Sequence, residues 1–186
     1  MIHEAMTSIA GELNRFLQSK HNINEEKVLL SNVLNVDGSI AIQETDKIVM
    51  SVANIETDKS QSSTSSYKQN TKGNFTKVKP SVNVNITVMF SAYFTPENYV
   101  EGLKFISSVV AFFQFKSGTF TPQDTPALID NFERLTMELM SLDFRDLSNF
   151  WSMIGSKYMP SVLYRLKPVP IRHDAPTTDI PFIKKI

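Results

Sequence analysis

Apolar residues recur at helical spacing from the start of the chain. Ile2, Met6, Ile9, Leu13, Phe16 and Leu17 form one stripe, and Glu4, Glu12, Asn14 and Arg15 lie off it. This predicts an opening helix of about 19 residues, roughly 28 Å long. Val28 to Val36 reads as a strand apolar on both faces, closed by the turn signal Asp37-Gly38-Ser39; Ile40-Ala41-Ile42 is a short strand or part of a loop. Lys47 to Ile55 is again apolar on both faces, which predicts a central strand in a sheet covered on both sides. From Val82 to Ala92 apolar residues alternate with Ser, Asn and Thr, the pattern of a long half-buried strand. Thr95-Pro96 opens a second helix, with Thr95 as cap and Pro96 in the first turn. Tyr99, Leu103, Ile106, Val110 and Phe113 make its stripe, widened by Val100, Val109 and Phe112, so it reads as the most buried helix.

Gly118, Pro122 and Pro126 punctuate a loop over residues 116–131, and Leu135, Met137 and Leu139 then alternate as a strand with one wet face. Phe144, Leu147, Phe150, Trp151 and Ile154 return to helical spacing. Asp143 or Asp146 can cap that helix, and Gly155 can take the left-handed position at its end. After Pro160, Val162, Tyr164 and Leu166 alternate with Leu163, Arg165 and Lys167 as a final strand from Ser161 to Val169. Trp151 and Tyr164, on a helix and on the strand that follows it, are expected to pack together. The element order predicts an α/β (α+β) fold: a single mixed, mainly antiparallel sheet with helices packed on it. One domain covers residues 1–171, and 172–186 is a C-terminal tail. Nine of the 23 residues in 57–79 are Ser or Thr. So polar a stretch buries too little surface to offset its ordering entropy, and it reads as a long mobile loop or the tip of a protruding hairpin.

Charge changes this picture. The net charge is zero, but residues 57–79 hold five Lys against one Asp, and residues 149–186 hold six bases against two acids. The rest of the chain carries the acid excess. One reading is two solvated, flexible segments. The other is that basic segments of one copy seek acidic faces of a neighbour, which favours register and encounter rate more than affinity. On the second reading the candidate contact residues are Lys59, Lys68, Lys72, Lys77, Lys79, Arg172, Lys184 and Lys185, with Phe182 and Ile183 as apolar anchors. The tail would then leave its own domain and lie on a neighbouring subunit.

Candidate chemistry is sparse. With no Cys there is no disulfide, thiolate metal site or Cys nucleophile. The glycines are too scattered for a dinucleotide fingerprint or a P-loop, and there is no Gly-x-Ser-x-Gly elbow. His3, His21 and His173 have no partner at metal-ligand spacing. No catalytic, cofactor or metal residue is expected, and no membrane span or signal peptide.

The run from Asn149 to Tyr164 carries a W-x-x-x-G-x-x-Y-x-P-S-x-x-Y block: Trp151, Gly155, Tyr158, Pro160, Ser161 and Tyr164. It resembles the C-terminal signature of the cap, or tail-terminator, proteins of contractile injection systems, phage-tail-like machines of the antifeeding-prophage type. The opening helix from Met1 to Lys20, the run Lys47 to Asp58 and the run Tyr99 to Phe113 are similar to blocks of the same family in the same order. The resemblance covers residues 1 to about 171. Some relatives carry a long C-terminal extension that this sequence does not include.

The resemblance implies a tail-terminator-like fold and a homohexameric ring. The ring would sit on the last layer of sheath and inner tube, fix particle length and stabilise the distal end. Assembly would take place in the bacterial cytoplasm, without catalysis. It carries over no residue-level functional site. Two other classes stay open at this point. One is a nucleic-acid-binding module using the Lys-rich loop with Tyr67 and Phe75. The other is an enzyme whose site is assembled from distant residues.

Overall fold

The computed structural model of the protein describes residues 1–58, 66–69, 75–78, 82–123, 125, 134–171 and 179–180. Helix α1 is Ile2–His21, and its buried face is the predicted stripe: Met6, Ile9, Leu13 and Leu17 with Ala5 and Ala10. Asn22 ends it in the left-handed conformation, and its N–H donates to the Gln18 carbonyl. Strand β1 covers only Val28–Leu30, not the predicted run to Val36. Past Leu30 the chain turns, and a single Leu34↔Ile40 bridge closes the Asp37-Gly38-Ser39 turn. Asn14 explains how so short a strand is held. Its side chain donates to the Val28 carbonyl at 3.0 Å and accepts the Val28 N–H at 2.8 Å, so a helix side chain occupies part of the open sheet edge.

Strands β2 (Lys47–Thr57) and β5 (Val82–Tyr93) form a long antiparallel pair, from Lys47↔Tyr93 to Thr57↔Val84. Between them in sequence, β3 (Ser66–Gln69) and β4 (Phe75–Val78) pair with each other, so the hairpin alternative holds over those eight residues of the 57–79 segment. Thr57 ends β2 and Asp58 follows it; the remainder of that segment lies outside the described residues. Beyond β5 come a 3-10 turn over Pro96–Asn98 and helix α2 (Tyr99–Phe115). Next are β6 (Thr119–Phe120), β7 (Leu135–Met140), helix α3 (Phe144–Ile154), β8 (Ser161–Ile171) and β9 (Asp179–Ile180).

The main sheet has six strands in the order β1-β2-β5-β8-β7-β6; only β1 and β2 run parallel. It is the expected mixed, mainly antiparallel sheet. Strand β8 tolerates Pro168 and Pro170 because β7 reaches no further along it than Lys167, so both prolines lie on a free edge. A register shift between Val84 and Ile86 absorbs the irregularity on the β5 side. A second sheet, β3-β4-β9, holds the pairs Phe75↔Ile180 and Thr76↔Asp179.

Two apolar layers flank the main sheet. One takes α1 and α2 onto Ile48, Met50, Val88, Phe90, Tyr164 and Leu166. The other takes α3 onto Met89 and Leu163. Successive strand residues point to opposite faces, which separates these sets. The prediction for α2 needs correcting. Its buried face runs through Gly102, Phe105, Val109, Phe112 and Phe113, while Tyr99, Val100 and Leu103 are exposed. Thr95 makes no side-chain cap; instead its N–H donates to Asp46. Strand β2 is covered on both faces only over Ile48–Ser51, and Val52 and Ile55 are exposed.

Candidate interaction surfaces

The Trp151 block folds as a corner. Asp143 Oδ1 accepts the Asp146 N–H at 2.8 Å and starts α3. Gly155, at φ 77°, ends it and donates to the Trp151 carbonyl at 3.0 Å. Trp151 is buried with Val33, Met89 and Leu163, and its ring meets Tyr158 edge-on at 5.8 Å. Tyr164 lies on the other face, against Phe113 at 4.4 Å and Phe90 at 5.9 Å. The expected Trp151–Tyr164 contact is therefore absent. Leu163, one residue earlier on β8, is the strand residue that meets Trp151, because alternation turns Tyr164 away. Ser161 stands opposite Ser91 in register.

The corner also shapes a surface cleft. Tyr158, Met159 and Pro160 face Phe94, Pro96 and Tyr99 across a groove of about 430 Å³. Gly102 lets α2 close on its floor, since a Cβ there would press on the Phe94 ring at 3.0 Å. Tyr99 and Tyr158 remain exposed at its mouth. Two residues of the recognised block thus belong to an apolar groove, whose other wall comes from residues that the sequence reading placed inside a helix or left unremarked.

Beside the groove is an acid-rich end of the molecule, where the turns before β1 and β2 meet the start of α2. Asp46, at φ 62°, accepts the Thr95 N–H at 3.0 Å and an Asn98 Nδ2–H at 2.7 Å. These hydrogen bonds hold its carboxyl below the usual carboxylate range. Lys27 is buried over the Phe105 and Phe94 rings and pairs with Glu25 at 2.6 Å. Its bond to Glu25 lowers that carboxyl too. Lys47 pairs with Glu44 at 3.0 Å and donates to the Glu26 carbonyl at 2.7 Å. Glu97 and Glu101 are exposed nearby on the 3-10 turn and the first turn of α2. His21 donates to or accepts from Ser108 at 2.9 Å; burial first, then Lys104 and Lys20, push its pKa below the ordinary value. No sequence pattern marks this convergence, because the three segments are remote along the chain.

Of the candidate contact residues, Lys68 sits on β3 and Lys77 on β4. Lys59, Lys72, Lys79, Arg172, Phe182, Ile183, Lys184 and Lys185 lie outside the described residues. The tail was expected to leave its domain; at Asp179–Ile180 it instead pairs with β4 of its own chain. Among the described residues no group of His, Asp or Glu is arranged to hold a metal ion, and no helix is long and apolar enough to cross a membrane.

The family model for the Pvc16 N-terminal domain matches residues 4–185. The chain belongs to the Pvc16 N-terminal domain family. The fold of this Pvc16 N-terminal domain is also that of two solved structures. One is the anti-feeding prophage cap, described as the AFP tube terminating cap, with a TM-score of 0.62 and 17% identity over 96% of this chain and 58% of that one. The other is the sheath/tube terminator of the PVC extracellular contractile injection system in its extended state, with a TM-score of 0.64 and 13% identity over 100% of this chain and 64% of that one. The chain thus spans about three fifths of the length of both neighbours. No curated protein sequence matches it.

Proposed function

We propose that this Pvc16 N-terminal domain is the terminator of a contractile injection system: a cap that binds the last layer of inner tube and sheath, fixes particle length and stabilises the distal end. The observation that carries this reading is the agreement of fold over nearly the whole chain with two proteins solved as a tube terminating cap and as a sheath/tube terminator. The family match over residues 4–185 agrees with it.

The working form is a homohexameric ring, built by heterologous interfaces that close. Its action is stoichiometric binding without turnover. Assembly takes place in the bacterial cytoplasm, and the cap then stays with the finished particle. Two measurements test this. Native mass of the purified chain should give a hexamer, alone or bound to tube subunits. Electron microscopy of particles assembled without the chain should show a broad length distribution, narrowed when it is added back. Particles of unchanged length and unchanged end structure in its absence would sink the proposal.

A further inference from the structure

Trp151 is the only buried residue of α3, so the helix is anchored on the sheet through one side chain. Its indole N–H is enclosed and has no hydrogen-bond partner in the protein. A buried tryptophan N–H ordinarily finds an acceptor. Two more orphaned polar atoms lie on the same side of the sheet. They are the hydroxyl oxygens of Ser91 and Ser161, each enclosed and each without a protein partner.

Strand register brings the three together. Ser91 stands opposite Ser161, and Met89 stands opposite Leu163 two residues along each strand. Alternation puts both pairs on one face. Met89 and Leu163 pack with Trp151 in the α3 layer, so the two serines point to that layer's side. The Ala92 N–H donates to the Pro160 carbonyl at 2.9 Å, which makes these two residues a hydrogen-bonded pair. Ser91 and Ser161, one step along, are therefore a non-hydrogen-bonded pair. In such pairs the side chains approach most closely, with Cα atoms about 4.5 Å apart. Two hydroxyls thus stand side by side, next to the pair that packs with the indole. Ser91 is 0% exposed and Trp151 5%, so the place is shut off from bulk solvent.

The set has a definite chemistry. An indole N–H only donates, whereas a hydroxyl donates and accepts. Neither serine hydroxyl bonds the other, and neither bonds the indole. Three polar atoms that share one face without touching call for a small molecule between them. Water matches: its oxygen accepts the indole N–H, and its two O–H groups donate to the serine oxygens. Three hydrogen bonds are the usual number for an internal water. Serine at both positions also leaves more room beneath α3 than Met89 and Leu163 leave at the neighbouring pair.

We propose that Trp151 Nε1, Ser91 Oγ and Ser161 Oγ hold one internal water, which ties α3 to β5 and β8 at once. Trp151 and Ser161 both belong to the block that runs from Trp151 to Tyr164. The water gives them a shared polar task, distinct from apolar packing. The chain between them carries Tyr158, Met159 and Pro160 to one wall of the groove, so the same water steadies that wall.

The test uses the full chain. A crystal structure that resolves ordered waters should show one within hydrogen-bond distance of Trp151 Nε1 and of both serine oxygens. In solution, oxygen-17 relaxation dispersion counts long-lived internal waters. Ser91→Ala/Ser161→Ala should lose the contribution of one water relative to the native chain. Trp151 is the only tryptophan, so its indole N–H gives a single proton resonance. That resonance should move upfield in the same variant as its acceptor departs. A crystal structure in which the indole N–H bonds a protein oxygen directly, or in which a water touches the serines alone, overturns the proposal. So does an unchanged dispersion in the folded double variant. If that variant does not fold, the crystal structure of the native chain decides by itself.

Discussion

Two neighbouring residues on β8 show how one step along a strand changes a side chain's role. Leu163 faces α3 and joins Trp151; Tyr164 faces α2 and joins Phe90 and Phe113. The two substitutions should therefore behave independently, although sequence proximity suggested a contact. Trp151→Ala empties the small α3 layer and should cost about 3–5 kcal/mol in a urea titration. An unchanged unfolding midpoint would falsify that placement. Burial pushes the Tyr164 hydroxyl up to about 12. Its folded pKa is raised, so its stabilising contribution is whole below the ordinary tyrosine value, near 10, and is lost as pH rises toward the folded value. Denaturant midpoints should fall across that alkaline window in the native chain, and more shallowly in Tyr164→Phe. A third site is decided by backbone alone. Gly118 has φ 61°, and a Cβ there would run into the Met137 carbonyl oxygen. The same carbonyl-to-amide seam ties the loop to β7, through the Met137 N–H and the Gly118 carbonyl at 2.6 Å. Gly118→Ala should therefore unfold the β6–β7 end first, seen as rapid amide exchange there while α1 stays protected.

Elements with a full period of their own were legible in the sequence. The α1 stripe and the cap and stop of α3 describe local geometry, and local geometry decided them; β5 forms over its predicted range but is buried on both faces from Ile86 to Ala92 instead of half-buried, since the α3 layer covers Met89 on the side predicted wet. What failed was set by remote neighbours. Strand β1 covers only Val28–Leu30 and is held at its start by Asn14 from α1, a partner that nothing in Val28 to Val36 encodes. Helix α2 is rotated from its apolar stripe because Gly102 lets it sit on Phe94, so size outweighed hydropathy at the contact. The polarity of 57–79 left the β3–β4 hairpin as one of two alternatives, and the β4–β9 contact joins positions about a hundred residues apart, beyond any periodicity. The acid-rich end was invisible for the same reason. One test at this scale uses Asp46, which ties the entry of β2 to the turn before α2. Its folded pKa is lowered, so its contribution is present above the unfolded carboxylate value and is lost as pH falls below it. Asp46→Asn keeps a side chain that accepts the left-handed backbone and removes the titration. Its acid-induced loss of stability should begin at lower pH than in the native chain. Coincident acid transitions would show that the Thr95 and Asn98 contacts contribute nothing.

The described fold has a main sheet flanked by both apolar clusters and a small second sheet, β3-β4-β9. Every residue assigned to the two apolar clusters lies between Met1 and Val169, on both faces of the main sheet. Along the chain β3 follows β2, β4 precedes β5 and β9 follows β8. Removing residues 172–186 therefore takes away β9 and three bases and leaves every described residue of the clusters in place. The truncated chain should melt within about 4 °C of the full chain, equivalent to about 1 kcal/mol in a domain of this size. Amide exchange should quicken in Phe75–Val78, which loses β9 and keeps only β3, and stay slow in Ile86–Ala92, which keeps both of its neighbours. If the tail takes part in contact between copies, assembly should suffer far more than stability. A truncated chain that melts much earlier would place the tail in the folding unit. One that melts alike and still caps particles of normal length would leave the tail with no part in termination.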